Sequence, residues 1–169
     1  VKLSLVYCFN NTVNITEYYH NSSFLEHGGS PDKAVRSAFT YAIDRYLKTN
    51  NKYTKNESKI TYQDVQDSLL LISNSFSTVT SYENQTKKAI TNKFIQDFMT
   101  ETLKHELEIY FIENKMDADK IATQVLVNKR SRESAEKTRL NMKTKLSGKI
   151  DMNNRVQKFV DCRTKDLSR

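Results

Sequence analysis

The sequence has few of the residues that interrupt or crosslink a chain: three glycines, one proline, two cysteines and no tryptophan in 169 residues. Cys8 and Cys162 lie near opposite ends and match neither a zinc-site spacing nor a disulfide framework. No stretch approaches the roughly 18 apolar residues of a membrane-spanning helix, and no signal peptide is recognisable. These absences predict a reduced, cytoplasmic protein that does not enter a membrane.

The sequence also lacks a recognisable catalytic set. His20, His27 and His105 are scattered, without a cysteine or carboxylate at metal-ligand spacing. Asp117 and Asp119 are better explained by a helix start than by a metal pair, so we predict no metal site. There is no P-loop and no dinucleotide-binding fingerprint. We therefore expect this chain, on its own, to be catalytically inactive.

Positive charge is in excess. Lysine and arginine number 27 against 20 aspartates and glutamates, which gives a formal net charge of +7. Such a surface attracts polyanions, and nucleic acid is the first candidate.

Apolar periodicity predicts an α+β fold. Residues 1–9 alternate as a strand, and residues 12–19 are expected to pair back on it as a hairpin. Ser30 and Pro31 are typical of a helix start, with Ser30 as the cap. Residues 61–66 suggest a short capped helical turn, and residues 68–76, around "LLLIS", a buried strand.

Two further helices complete the predicted order β-β-α-β-α-α. The first covers residues 92–112. Its predicted inward residues are Ile95, Phe98, Met99, Leu103, Leu107, Tyr110 and Phe111. The second begins at a cap, Asp117, and runs to about residue 146, with Gly148 just past its end. We expect a sheet with helices packed on one face and this long helix projecting.

The second half of the last helix is strongly basic. Residues 129–149 contain eight basic residues against two acidic ones. A helix that is polar all round usually projects, bridges domains or meets a partner, although a solvated linker helix gives the same pattern.

Five short motifs occur in a characteristic order: "HGGS" before a helix, "QDV" before a buried strand, "QTK" in a polar loop, then "NKRSRESAEKTR" and "VDCRTKD". In this order they resemble the transducer domain of the bacterial type IIA topoisomerase ATPase subunit, that is, gyrase B or its topoisomerase IV counterpart. The resemblance covers essentially the whole chain. It implies the fold of ribosomal protein S5 domain 2, with residues 1–149 as the transducer and residues 150–169 as a connector toward an absent Toprim domain.

The resemblance also implies a role for the QTK loop. In the family this loop enters the ATP site of a preceding GHKL domain, where its glutamine and lysine contact the γ-phosphate. By position these residues are Gln85 and Lys87. The resemblance implies that both bind the nucleotide and that both take part in catalysis. ATP and Mg²⁺ would be bound mainly outside this chain. The implied partners are DNA, the flanking GHKL and Toprim domains, the topoisomerase A subunit and a second B subunit.

The basic helix would then attract the transported DNA segment. The residues in question are Lys129, Arg130, Arg132, Lys137, Arg139, Lys143 and Lys145. The sequence departs from the family pattern in places, for example Ser30-Pro31 where Thr-His is usual after the two glycines. The alternative is a stand-alone nucleic-acid-binding module of S5-like fold, which would give Gln85 and Lys87 no special role.

Overall fold

A computed structural model of the chain describes residues 1–147, in which a sheet is covered on one face by helices. The strands are β1 (Lys2–Phe9), β2 (Ile15–His20), β3 (Ser23–Phe24), β4 (Gly28–Gly29), β5 (Leu69–Phe76) and β6 (Ala89–Ile90). The helices are α1 (Ser30–Thr49), α2 (Tyr62–Gln66), α3 (Lys93–Glu113) and α4 (Lys115–Ser147). The predicted α+β class and the predicted order of the main elements are confirmed.

The main sheet has the strand order β1-β5-β2-β3, so the apolar strand β5 lies between β1 and β2. The predicted hairpin between residues 1–9 and 12–19 is therefore wrong. Strand β1 pairs with β5 antiparallel, and β2 pairs with β5 in parallel. A parallel pair needs a long crossover, which α1 and α2 supply between β2 and β5. Strand β5 is more buried than the equally long strand β1, and its central place leaves both of its edges paired.

The core lies between the sheet and the helices. Phe39 of α1, Leu71 of β5 and Met99 of α3 belong to one apolar cluster and are almost completely buried. Burying a side chain of this size contributes about 1.5–3 kcal/mol. The opposite face of the sheet is open, because Val6 and Ile72 are exposed there as cross-strand neighbours.

Two helix starts differ from the prediction. Ser30 is the first residue of α1 and not its cap, since Gly29 holds that position and Pro31 falls in the first turn as expected. Helix α4 begins at Lys115, so Asp117 lies in its first turn. By contrast, α2 is capped as predicted, with a capping box formed by Thr61 and Asp64.

Helix α3 follows the predicted periodicity with one error. Its buried residues are Ile95, Met99, Leu103, Leu107 and Phe111. Phe98 is exposed instead, and Tyr110 is only partly buried. Phe98 precedes Met99 directly and so turns about 100° away from it around the helix.

The described chain divides into two compact units, Val1–Ser131 and the residues from Arg132 onward. In the first unit, α4 contributes Ile121, Val125 and Leu126 to the core, as predicted. In the second unit, the helix surface is polar and mostly exposed. The predicted helix end at Gly148, the 150–169 connector and the "VDCRTKD" motif lie outside the described residues. None of the helices in the described part is long and apolar enough to cross a membrane.

Candidate functional site

The QTK motif lies at the tip of a short hairpin-like loop between β5 and α3. The Glu83 amide donates to the Ala89 carbonyl over 3.0 Å, and the Thr91 amide donates to the Ser81 carbonyl over 2.9 Å. These bonds close the loop like a two-stranded ribbon. The predicted polar loop is therefore an ordered protrusion with a defined tip.

A tight turn presents the tip residues. The Lys87 amide donates to the Asn84 carbonyl over 3.2 Å, and the Thr86 hydroxyl donates to Asn84 Oδ1 over 2.5 Å. Gln85, Thr86 and Lys87 are all exposed. An amide and a cation offered together at an exposed turn suit a phosphate, because glutamine donates hydrogen bonds and lysine supplies charge.

Lys87 has a left-handed backbone conformation, with φ at 55°. The other non-glycine residues with positive φ in residues 1–147 are Asn21, Ser22, Asn51 and Asn56. Asparagine tolerates this region because its short side chain bonds locally, whereas lysine has no such compensation. Backbone strain of this kind costs on the order of 1 kcal/mol and is concentrated at functional sites.

The base of the hairpin is bound to the glycine pair. Strands β4 and β6 run in parallel, with Gly28 opposite Ala89 and Gly29 opposite Ile90. Just outside this pair, the His27 amide donates to the Lys88 carbonyl over 3.0 Å. The "HGGS" and "QTK" motifs are therefore parts of one local structure, although about 60 residues separate them.

Gly29 is required by this close approach. Its φ is +78°, and an added Cβ would lie 2.2 Å from the Ile90 carbonyl oxygen. The Ser30 hydroxyl donates to that same oxygen over 3.2 Å. Any larger residue at position 29 would push β6, and with it the hairpin, away from α1.

A buried histidine holds the other end of the hairpin. His20 Nδ1 lies 2.8 Å from Ser75 Oγ, and Nε2 lies 2.8 Å from Thr80 Oγ1, one residue before the loop begins. Burial lowers the pKa of His20. Asn92 Oδ1 then accepts a hydrogen bond from the Ser81 amide over 2.7 Å. Sequence reasoning missed both His20 and Asn92, because neither forms part of a recognisable motif.

The two adjacent lysines of the loop have different partners. Lys88 forms an ion pair with Glu26, with a separation of 2.5 Å between Nζ and Oε2. This contact lowers the pKa of Glu26 through a hydrogen bond and its opposite charge. The ammonium of Lys87 lies instead over the ring of Tyr82, 5.6 Å from the ring centre.

The basic run on α4 is divided into two parts. Lys129 has no exposed surface; its Nζ lies 2.5 Å from the Ser58 carbonyl oxygen, 3.1 Å from Glu57 Oε1 and 5.3 Å from the Tyr53 ring centre. A side chain in this position is not available to DNA. We therefore withdraw Lys129 from the predicted DNA-contacting set.

Arg130 takes part in the same cluster. Its Nε and Nη2 donate to the two carboxylate oxygens of Glu57 over 3.0 and 3.1 Å. Hydrogen bonds from Arg130, and further ones from Thr54 and Lys129, hold the pKa of Glu57 far below its usual range. Asn128 adds hydrogen bonds to the Asp64 carbonyl and to the Ser68 hydroxyl. The "NKR" triplet therefore anchors α4 to the fold.

Arg130 stays in the predicted set, because 49% of its side chain is exposed, and the other predicted DNA contacts lie in the second unit. Lys137, Arg139, Lys143 and Lys145 are exposed there, and Arg132 is partly exposed. Arg139 Nη2 lies 3.8 Å from Glu136 Oε1. Their role in binding DNA stays a prediction. Among the described residues, no group of three or more His, Cys, Asp or Glu side chains is arranged to hold a metal ion.

Comparisons with known protein families and with individual proteins all point to the same family. A family model described as DNA gyrase B matches residues 1–141. The B subunit of DNA gyrase from Campylobacter jejuni is 27% identical over 99% of this chain and 22% of its own length. That of Metamycoplasma arthritidis is 28% identical over 98% of this chain and 26% of its own length. The chain thus spans about a quarter of the length of these curated relatives.

Solved structures show the same fold. The 43K ATPase domain of Thermus thermophilus gyrase B, in complex with an aminocoumarin, superposes with a TM-score of 0.73 at 18% identity, covering 81% of this chain and 37% of that one. The topoisomerase IV ATP binding domain of Francisella tularensis, in complex with an inhibitor, gives a TM-score of 0.69 at 24% identity, covering 77% of this chain and 36% of that one.

Proposed function

Because the chain belongs to the DNA gyrase B family, we propose that it is the transducer of an ATP-dependent type II DNA topoisomerase, gyrase or topoisomerase IV. In this role it couples ATP binding and hydrolysis in a preceding GHKL domain to gate movement and DNA strand passage. Gln85 and Lys87 contact the γ-phosphate. ATP and Mg²⁺ are bound mainly by the GHKL domain, and this chain alone does not turn over ATP.

The observation that carries the proposal is the conformation of Lys87. The Lys87 side chain is exposed at a turn, and its backbone is left-handed. The hairpin that carries it is bound to the core at both ends. Strain at an exposed lysine brings nothing to the stability of this chain. The strain is explained if the fold holds the lysine in position for a ligand that another domain supplies.

The energetics of two phosphate contacts are sufficient for a switch. A hydrogen bond to a charged group contributes about 1.5–3 kcal/mol net. Release of both contacts on hydrolysis and phosphate departure shifts the equilibrium between two domain arrangements by a few kcal/mol, on the order of a hundredfold or more in population. The ligand biases the equilibrium because only one arrangement brings the hairpin to the phosphate.

The second unit supports a role in DNA attraction. Its four exposed basic residues offer sequence-independent phosphate contacts, and the sequence contains no recognised base-reading motif. In the assembled enzyme we propose partners beyond DNA, namely a Toprim domain that follows in the same chain, the topoisomerase A subunit and a second B subunit. An enzyme acting on bacterial chromosomal DNA belongs in the cytoplasm.

The alternative, a stand-alone nucleic-acid-binding module, leaves the strained lysine and the doubly anchored hairpin without a purpose. A comparison of two neighbouring lysines separates the two functions. In the full-length enzyme, Lys87→Ala should lower steady-state ATP turnover about a hundred- to a thousandfold, the usual cost of losing one donor to developing charge. The melting temperature should stay unchanged.

Lys88→Ala is the matched control. It removes the same charge one residue away, and its solvent-exposed ion pair with Glu26 contributes little to stability. Turnover should stay within a few-fold of the wild type. Equal and mild effects at both positions would overturn the proposed function.

A further inference from the structure

We propose that Tyr82 is a positioning residue for Lys87: its ring face holds the ammonium of Lys87 at the tip of the hairpin, so that the cation is in place before the phosphate arrives. The inference rests on the proposed function and extends it to a residue outside the QTK motif. The contact that supports it is the 5.6 Å separation between Lys87 Nζ and the centre of the Tyr82 ring, which is within cation–π range.

Tyr82 is fixed where Lys87 is not. Its backbone forms an antiparallel bridge with Ile90, and its half-buried ring packs against the apolar core. The preceding residue, Ser81, is held through hydrogen bonds with Thr91 and Asn92. The fold therefore holds the ring beside Lys87, an exposed lysine whose long side chain has several rotatable bonds.

The turn directs Lys87 toward that ring. Its amide is bound to the Asn84 carbonyl, and its left-handed φ is not an ordinary conformation for a long side chain. A free lysine loses up to about 2 kcal/mol of rotamer entropy when it is immobilised. Contact with a ring that is already immobile removes part of that loss before the phosphate binds, which is the meaning of preorganisation.

An aromatic face suits this task better than a carboxylate. Lys88, the next residue, is paired with the carboxylate of Glu26, which neutralises its charge locally. A ring attracts the ammonium through its quadrupole and leaves the net positive charge in place. Of the two neighbouring lysines, the one on the ring therefore keeps its full charge for an anionic ligand.

The test is a double-mutant cycle in the full-length enzyme. Tyr82→Leu removes the ring face and Tyr82→Phe retains it, and each change is made with Lys87 present and with Lys87→Ala. The readouts are kcat and KM for ATP, beside the melting temperature. With Lys87 present, we expect Tyr82→Leu to lower kcat/KM about two- to fivefold, the factor that an exposed cation–π contact provides, and Tyr82→Phe to change it less than about twofold.

In the Lys87→Ala background, Tyr82→Leu should have no further effect, since there is no ammonium left to position. An equal loss in both backgrounds would mean that the ring acts only through the fold, and would overturn this inference while leaving the proposed function intact. Equal losses for Tyr82→Leu and Tyr82→Phe would overturn it too. Normal turnover in Lys87→Ala alone would instead overturn the proposed function, and the inference with it. Tyr82→Met serves as a second non-aromatic variant if the leucine variant does not fold.

Discussion

Two lysines from recognisable motifs, Lys87 and Lys129, are in opposite situations. Lys87 is exposed at a strained turn, with an aromatic ring as its neighbour. Lys129 has no exposed surface, and it contacts a carboxylate, a backbone carbonyl and a ring. Exposure with backbone strain fits the proposal that Lys87 is kept for a ligand. Burial with several internal partners indicates a residue used for architecture.

The contrast changes the interpretation of the basic motif "NKRSRESAEKTR". Its first three residues bind the loop around Glu57, helix α2 through the Asp64 carbonyl, and Ser68 just before β5. They hold α4 at the point where the first unit ends. Arg130, whose side chain is about half exposed, and the basic residues from Arg132 onward remain candidates for DNA. One run of like charges along α4 thus contains residues that anchor the helix and residues that stay DNA-binding candidates, and three predictions follow from this division.

The largest effect is expected at the buried cluster. Glu57→Ala leaves Lys129 buried without its carboxylate, and breaking a buried pair in this way costs about 3–5 kcal/mol of unfolding free energy. Denaturant unfolding of the 169-residue chain measures the loss. The double variant Glu57→Leu with Lys129→Met should recover much of it, because both members of the buried pair are then apolar. A loss below about 1 kcal/mol for Glu57→Ala would remove the distinction between the two lysines.

A smaller effect is expected for DNA binding by the second unit. Reversing Lys137, Arg139, Lys143 and Lys145 to glutamate should weaken duplex binding and flatten its salt dependence. The slope of log K against log[salt] falls by about 0.9 for each phosphate that the protein no longer neutralises. Titrations at several salt concentrations provide the slopes.

The control reverses the same number of exposed lysines in the first unit, namely Lys2, Lys33, Lys55 and Lys93. If binding depended only on the net charge of the chain, both sets would weaken it equally. We expect reversal of the four second-unit residues to weaken duplex binding clearly more than reversal of the four control lysines.

The smallest effect concerns acid stability. The pKa of Glu57 in the folded chain lies below its unfolded value of about 4.3, so its contribution to stability is fully present above that pH and is lost as the pH falls. Glu57→Gln should therefore lose less stability than the wild type between about pH 5 and pH 3. Parallel pH profiles of the two proteins would mean that Glu57 is not held ionised by its partners.

Much of the fold was predictable because it depends on local periodicity. Helices α1 and α3 and strand β5 follow directly from the spacing of apolar residues. The pairing of β2 was not predictable in the same way, since its partner β5 is about 50 residues away and a tight turn near Asn10 favoured the simpler hairpin. Local patterns show which face of an element is apolar, and they do not show which strand lies beside it.

The candidate site divides along the same line. Gln85 and Lys87 could be named from a motif, but the roles of His20, Gly29 and Asn92 depend on contacts between segments distant in sequence. One signal for Lys129 was present in the sequence. It continues the stripe of Ala122, Val125 and Leu126 at helical spacing, which places it on the buried face of α4.

The most direct measurement of the central claim compares two nucleotides. A residue that contacts only the γ-phosphate affects the binding of a triphosphate and not of a diphosphate. Calorimetric titration of the full-length protein with a non-hydrolysable ATP analogue and with ADP would be done for the wild type and for Lys87→Ala. Loss of one charge-assisted hydrogen bond, about 1.5–3 kcal/mol, predicts roughly ten- to a hundredfold weaker binding of the analogue and unchanged binding of ADP. Equal changes for both nucleotides, or none for either, would contradict the assignment of Lys87 to the γ-phosphate.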